Sequence, residues 1–223
     1  MSNESVYEGH MACPSCGSSD ANALYSDGHL YCYSCHTYIG GNQNGEAMQL
    51  NTSQSDSQIK RSQPTSTGSL GDISDRKISK ETCKKYNTYI QKSGSTITHH
   101  IYQYFDRDGQ HIANKVRRTE DKNFWTEGPI SNAVLFGQNI FNQSGKFVTI
   151  CEGELDAMSV FEMLGSKWPV ISIRNGAAAA SENCKKSLDY LNKFDNIVLC
   201  FDNDKQGKEA EKKVAQLFEP NKC

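Results

Sequence analysis

From Phe147 onward, short apolar runs alternate with amphipathic stretches, so each run predicts a strand and each stretch a helix. KFVTIC (146–151) is the first strand. Ala157, Val160, Phe161 and Leu164 then recur at i, i+3, i+4 and i+7, the stripe of a helix that Gly165 can end. PVISI (169–173) is the second strand, before a helix with Cys184, Leu188 and Leu191 on one face. NIVLCF (196–201) is the third, before a helix carrying Ala210, Val214 and Leu217. Three such units in succession predict a parallel sheet covered by helices, an α/β fold that collects its chemistry at the carboxyl ends of the strands. Glu152 and Asp202 stand at two of those ends.

Upstream, HHIYQYFDRDGQHIANKVRR (99–118) alternates on both sides of Asp108-Gly109, a turn dipeptide that tolerates positive φ, and predicts a hairpin. Lys115 and Arg117 fall on one face of its second strand, with Arg118 and Lys122 nearby. Ser79 is placed to cap a short helix through Lys85. Between Gly40 and Gly71, 22 of 32 residues are Gly, Ser, Thr, Asn or Gln without apolar periodicity, the composition of a flexible linker. The chain thus divides into an N-terminal module (1–39), a linker (40–71), an α+β subdomain (72–146) and the α/β subdomain (147–223).

Charge narrows the function. A net charge of −2 over 223 residues excludes a globally basic nucleic-acid binder, although local patches can still meet phosphate. No run approaches the roughly 18 apolar residues of a membrane span, and MSNESVYEGH lacks the pattern of a signal peptide. A cytoplasmic protein is expected. The nine cysteines do not suit a disulfide scaffold in so long a chain. Cys83, Cys151, Cys184 and Cys200 read as small buried hydrophobes. Cys13, Cys16, Cys32 and Cys35 instead have the spacing C-x2-C-x15-C-x2-C, which predicts a small all-β zinc ribbon with four thiolates on one structural Zn²⁺. Tyr25, Asp27, His29, Tyr31 and Tyr33 lie between the knuckles. They suit a reader of single-stranded nucleic acid, and equally the packing of a small sheet.

Two acidic motifs follow strands of the α/β region. In EGELD, Glu152 ends the strand, Gly153 lets the backbone turn, and Asp156 falls in the first helical turn, where the helix dipole favours an anion. In DNDKQG, Asp202 and Asp204 are separated by one residue. Three or four converging carboxylates make a hard oxygen site for Mg²⁺ or Mn²⁺, and Gly207 would let phosphate approach the next helix.

A strand ending in EGELDA, followed 50 residues later by one ending in DNDKQG, resembles the TOPRIM domain of primases, topoisomerases, certain nucleases and recombination mediators. With CPSCGSSDANALYSDGHLYCYSC, ISKETC, KVRRTEDKNF and VLFG, the chain is similar over nearly its whole length to the primase half of short-tailed phage primase-helicases. The resemblance implies a DNA primase that makes RNA primers on single-stranded DNA from ribonucleoside triphosphates. It gives Glu152, Asp202 and Asp204 catalytic and Mg²⁺-binding roles, adds Asp156 to the metal set, and assigns Lys115, Arg117 and Lys122 to nucleotide or template and Asp27 and His29 to template reading. It further implies a replicative helicase and a DNA polymerase as partners. No G-x-x-x-x-G-K-[ST] occurs, so helicase activity is not expected of this chain. Relatives continue with another acid-bearing strand, whereas 19 residues follow Asp204 here, which implies a TOPRIM domain that is C-terminally truncated. The alternatives are a non-catalytic zinc/TOPRIM recombination mediator and a TOPRIM nuclease.

Overall fold

The computed structural model describes residues 5–13, 21–33, 38–40, 63–141 and 144–223, in two compact units that divide between Gln63 and Pro64. The first unit is an antiparallel sheet in sequential order: β1 (Tyr7–Met11), β2 (Asn22–Tyr25), β3 (Leu30–Cys32) and β4 (Tyr38–Ile39). Its core is small, so aromatic side chains supply much of the packing. The Tyr25 and His29 rings stack at 4.2 Å, and Tyr31 meets Tyr33 edge-on at 5.1 Å. These rings pack on one another, while Tyr33 stays 57% exposed. Cys13 and Cys32 are buried, whereas Cys16 and Cys35 lie outside the described residues.

The second unit begins with the short helix α1 (Lys80–Lys85), whose Ser79 N-cap oxygen accepts from the Thr82 amide at 3.2 Å. A four-stranded antiparallel meander follows: β5 (Thr88–Ser93), β6 (Thr96–Phe105), β7 (His111–Arg118) and β8 (Phe124–Glu127). The predicted hairpin is β6–β7. Asp106 Oδ1 closes its turn by accepting from the Asp108 and Gln110 amides, and Gly109 takes the left-handed φ of +78°. β5 and β8 went unread because TYIQKS and FWTE are too short and mixed to declare a period.

The expected linker ends sooner than composition suggests. Ser69 and Ile90 exchange backbone hydrogen bonds of 2.9 Å each, while Glu127 Oε2 accepts from the Thr65 and Ser66 amides, both at 2.8 Å. Residues 64–71 therefore border the meander. Their polarity misled because their partners are backbone groups and one carboxylate, which need no apolar side chains.

Downstream come β9 (Gly145–Cys151), α2 (Glu154–Met163), β10 (Val170–Ser172), α3 (Ala180–Lys185), α4 (Leu188–Leu191), β11 (Phe194–Cys200) and α5 (Lys205–Ala215). The sheet is parallel in the order β10-β9-β11. Ser172 and Cys200 both pair with Cys151, so the three strands end level and their following loops share one rim. The single helix expected after β10 is broken at Lys186–Ser187 into α3 and α4, a bend that lets Cys184 and Leu191 both reach the core.

Two cores flank the parallel sheet. Leu155, Met158 and Phe161 of α2 pack with Tyr86, Tyr102, Tyr104 and Phe136, fusing the meander to one face. Cys184, Leu191, Ala210 and Val214 cover the other with Ile150, Ile171 and Ile197. The buried stripe of α2 runs Glu154, Ala157, Met158 and Phe161, so the predicted face is met by Ala157 and Phe161, with Val160 partly buried against the same core, and the stripe begins a turn earlier than expected. Leu164 is the helix's C-cap and stays exposed. Cys200 also departs from expectation: it is exposed, as is Val198 on the same outer strand, whereas Cys83, Cys151 and Cys184 are buried.

Candidate active site

Each strand of the parallel sheet delivers a charged residue to the common rim. Glu152 leaves β9, Arg174 follows β10, and Asp202 follows β11. Glu152 spans its neighbours: Oε1 accepts from the Ala177 amide at 3.2 Å and Oε2 from the Asp202 amide at 3.4 Å. Asp204 is the N-cap of α5, its Oδ1 accepting from the Gly207 amide at 2.8 Å. This arrangement corrects the reading of Gly207. Its amide is taken by Asp204, and a Cβ there would lie 2.0 Å from the Asp202 carbonyl oxygen, so glycine is required by a backbone crossing and opens no path for phosphate.

Asp156 sits on the first turn of α2, on the rim. Its residue surface is open, yet the protein crowds the carboxyl, and desolvation followed by the charge of Asp202 raises its pKa. Arg76 and Arg117 oppose that rise, which puts two guanidinium charges within electrostatic reach of the acids. Among the described residues, no three His, Cys, Asp or Glu side chains already form a metal-holding cluster. The acids share a rim, but Glu152 and Asp204 are engaged with backbone amides.

Lys115 occupies a place its sequence context did not suggest. Nζ lies 2.9 Å from Glu154 Oε1 and donates to the Arg174 carbonyl at 2.9 Å, with the Phe124 ring centroid 4.9 Å away. The Tyr104 hydroxyl donates to the same Glu154 oxygen. Lys115 is thus buried in an internal network and is not an exposed nucleotide contact. Arg117, two residues along the same strand face, is less enclosed, and Lys122 is exposed in the β7–β8 turn with φ +61°.

Glu154, Tyr104 and Arg174 were missed. Arg174 is buried, donating through Nε to Asn183 Oδ1 at 2.9 Å and through Nη1 to the Ala133 carbonyl. A signal existed for two of them: Glu154 is the remaining acid of EGELD, and Arg174 directly follows the apolar run PVISI.

Asp27 and His29 belong to the first unit. Their side chains meet at 2.5 Å, and Asp27 also accepts from the His29 amide at 3.2 Å. Desolvation raises the Asp27 pKa, but the His29 amide and ring outweigh it and the net shift is downward.

A parallel sheet with acids at its carboxyl rim and a meander fused to one face defines the Toprim-like class, and residues 149–223 match the Toprim-like family model. Residues 68–128 match the N-terminal a+b fold of the bacteriophage T7 DNA helicase/primase. The DNA helicase/primase of Enterobacteria phage T3 is 34% identical over 229 residues, covering 99% of this chain and 39% of the relative. The crystal structure of the primase fragment of the bacteriophage T7 primase-helicase superposes with a TM-score of 0.64 at 34% identity, covering 97% of this chain and 88% of that one. Primase domains from a T7 lagging-strand DNA polymerase complex with an RNA/DNA hybrid match at TM-score 0.61 and 37% identity, covering 69% of this chain and 76% of theirs. The chain belongs to the T7-type DNA helicase/primase family, aligning with its primase fragment. It spans 39% of the length of the phage T3 relative.

Proposed function

We propose that this chain is a DNA primase, synthesising short RNA primers on single-stranded DNA from ribonucleoside triphosphates by metal-dependent nucleotidyl transfer. The observation that carries the reading is the level rim of the parallel sheet in a chain of this family, with Glu152, Asp156, Asp202 and Asp204 on the segments that leave its strands. The donor set fits a hard divalent cation. All four donors are carboxylates, and the pKa of Asp156 is raised first by desolvation and then by the charge of Asp202, the second being a repulsion that a dication would relieve. Asp202, Asp204 and Glu152 would hold Mg²⁺ or Mn²⁺, with Asp156 beside them; the cation supplies Lewis-acid charge to the triphosphate and lowers the pKa of the attacking hydroxyl.

The chain's own groups divide the remaining work. Arg117 and Lys122 meet phosphate or template, and Arg76 adds positive charge at the acids. Glu152 stands ready to take the proton of the 3′ hydroxyl as the new P–O bond forms and pyrophosphate leaves. Lys115 and Tyr104 hold Glu154 and so fix the turn between Glu152 and Asp156. In the first unit, Cys13, Cys16, Cys32 and Cys35 would hold a structural Zn²⁺, for which the burial of Cys13 and Cys32 is suitable. Asp27 and His29 on the β2–β3 turn would then read template. A helicase and a DNA polymerase are the expected partners, at work in the cytoplasm.

The test supplies labelled ribonucleotides and a degenerate single-stranded template to the wild type, Asp202→Asn and Asp204→Asn. Oligoribonucleotides should appear with the wild type and fall by at least about 100-fold in each variant, the scale of losing charge stabilisation at the reacting centre. No product, or equal yields, overturns the assignment. DNA cleavage in its place favours the nuclease alternative.

A further inference from the structure

The inner edge of the meander carries an open polar recess of about 300 Å³, walled by Asp72, Ser74 and Asp75 before α1, Lys92 and Ser95 at the β5–β6 turn, and His100 on β6. His100 is 4% exposed. Its Nδ1 lies 3.3 Å from Tyr102 Oη, but the buried Nε2 has no hydrogen-bond partner among the described residues. A polar atom hidden from water and left unmet is destabilising unless something outside the chain meets it. Burial holds the imidazole down to about 4 against the pull of Asp75, so near pH 7 the ring is neutral, with one N–H and one lone pair.

Arg117 is the direct cross-strand partner of His100. The charges of Arg117 and Arg76 act on both His100 and Asp156, so both guanidinium groups lie within electrostatic reach of the recess and of the acids. A ligand reaching from one to the other needs a hydrogen-bonding head and an anionic link. A nucleotide has both.

The wall chemistry selects among bases. Asp72 Oδ1 already accepts from the Lys80 amide at 2.8 Å, which leaves Asp75 as the freer carboxylate, its Oδ2 3.7 Å from Arg76 Nε. One carboxylate can accept two hydrogen bonds from adjacent donors, and guanine is the base that presents a ring N–H beside an amino group with a carbonyl acceptor next to them. Lys92 is the exposed donor on that acceptor side, with the unmet His100 ring in the same wall. We propose that this recess binds the guanine base of a nucleotide whose phosphate rests on Arg76 and Arg117.

The imidazole signal of His100, assigned by its disappearance in His100→Phe, can be followed by NMR while guanosine, adenosine, cytidine and uridine 5′-monophosphates are titrated separately into the intact chain. Guanosine monophosphate should move it saturably and bind at least about tenfold more tightly than the other three, the scale of one lost hydrogen bond to a charged group. Asp75→Asn, at an exposed position, should abolish the preference while the chain stays folded. A signal unmoved by all four nucleotides, or moved equally by inorganic phosphate, overturns the proposal. Tighter binding of another base overturns the guanine assignment. The readout is binding, so it stands apart from primer synthesis: saturable guanosine binding without synthesis would sink the primase reading alone.

Discussion

Lys115 Nζ lies 2.9 Å from Glu154 Oε1, joining β7 of the meander to the first turn of α2. Both side chains are nearly enclosed, at 11% and 8% exposure, and the lysine's other bond runs to the Arg174 carbonyl beyond β10. One ammonium thereby ties the turn after β9 to the segment after β10.

Removing that ammonium leaves a buried carboxylate without its counter-charge, which typically costs about 3–5 kcal/mol. Lys115→Met is expected to lower urea stability on that scale, and Lys115→Met with Glu154→Gln to recover part of it. A double-variant loss equal to the sum of the Lys115→Met and Glu154→Gln losses would show that the two groups are not coupled.

Asp204 combines a helix cap with a candidate metal carboxylate, and substitutions separate the two. Asparagine caps as well as aspartate, so Asp204→Asn should hold its melting temperature while primer synthesis collapses. Asp204→Ala should lose synthesis and about 0.5–2 kcal/mol of stability as well. A stable, fully active Asp204→Asn would strip the carboxylate of any role in catalysis.

Gly207→Ala forces a methyl group against the Asp202 carbonyl, 2.0 Å from the ideal Cβ position. The backbone carrying Asp202 must shift, at a cost of about 1–3 kcal/mol. Metal-dependent synthesis should fall at least about tenfold, whereas Lys208→Ala, at an exposed neighbour, should leave it unchanged. Parallel behaviour of the two variants would remove the crossing as an organiser of the site.

Glu127 clasps residues 65 and 66. Desolvation raises its pKa, but the Ser66 hydroxyl and amide, the Thr65 amide and Asn114 outweigh it and hold the carboxyl down to about 2. With the folded value depressed, the clasp contributes fully above the unfolded value of about 4.3 and is lost as pH falls toward 2. Glu127→Gln should flatten the stability profile across that interval and speed hydrogen exchange at the Thr65 and Ser66 amides at neutral pH. An unchanged profile would mean that the clasp contributes no stability.

What the sequence disclosed followed from how each residue makes its contacts. Strands β9, β10 and β11 were legible because Val148, Ile150, Ile171 and Ile197 must leave water together. Ser79 and Gly165 marked helix ends through local chemistry, and the EGELD and DNDKQG acids stood out because charge at the end of an apolar run is conspicuous. Partners far apart in the chain were not legible. Nothing in KVRR says that Lys115 turns inward to meet Glu154, and nothing in PTSTGS says that a carboxylate 61 residues later will fasten Ser66. Gly207 was recognised as special for the wrong reason, because the backbone crossing it permits exists only once Asp202 has been folded against it.

Glu152 reaches sideways to the Ala177 and Asp202 amides, at 3.2 and 3.4 Å, and so braces the loops after both neighbouring strands. Glu152 is therefore a strut of the rim: one side chain sets the spacing between the loops holding Ala177 and Asp202, and a shorter residue there would let them drift apart.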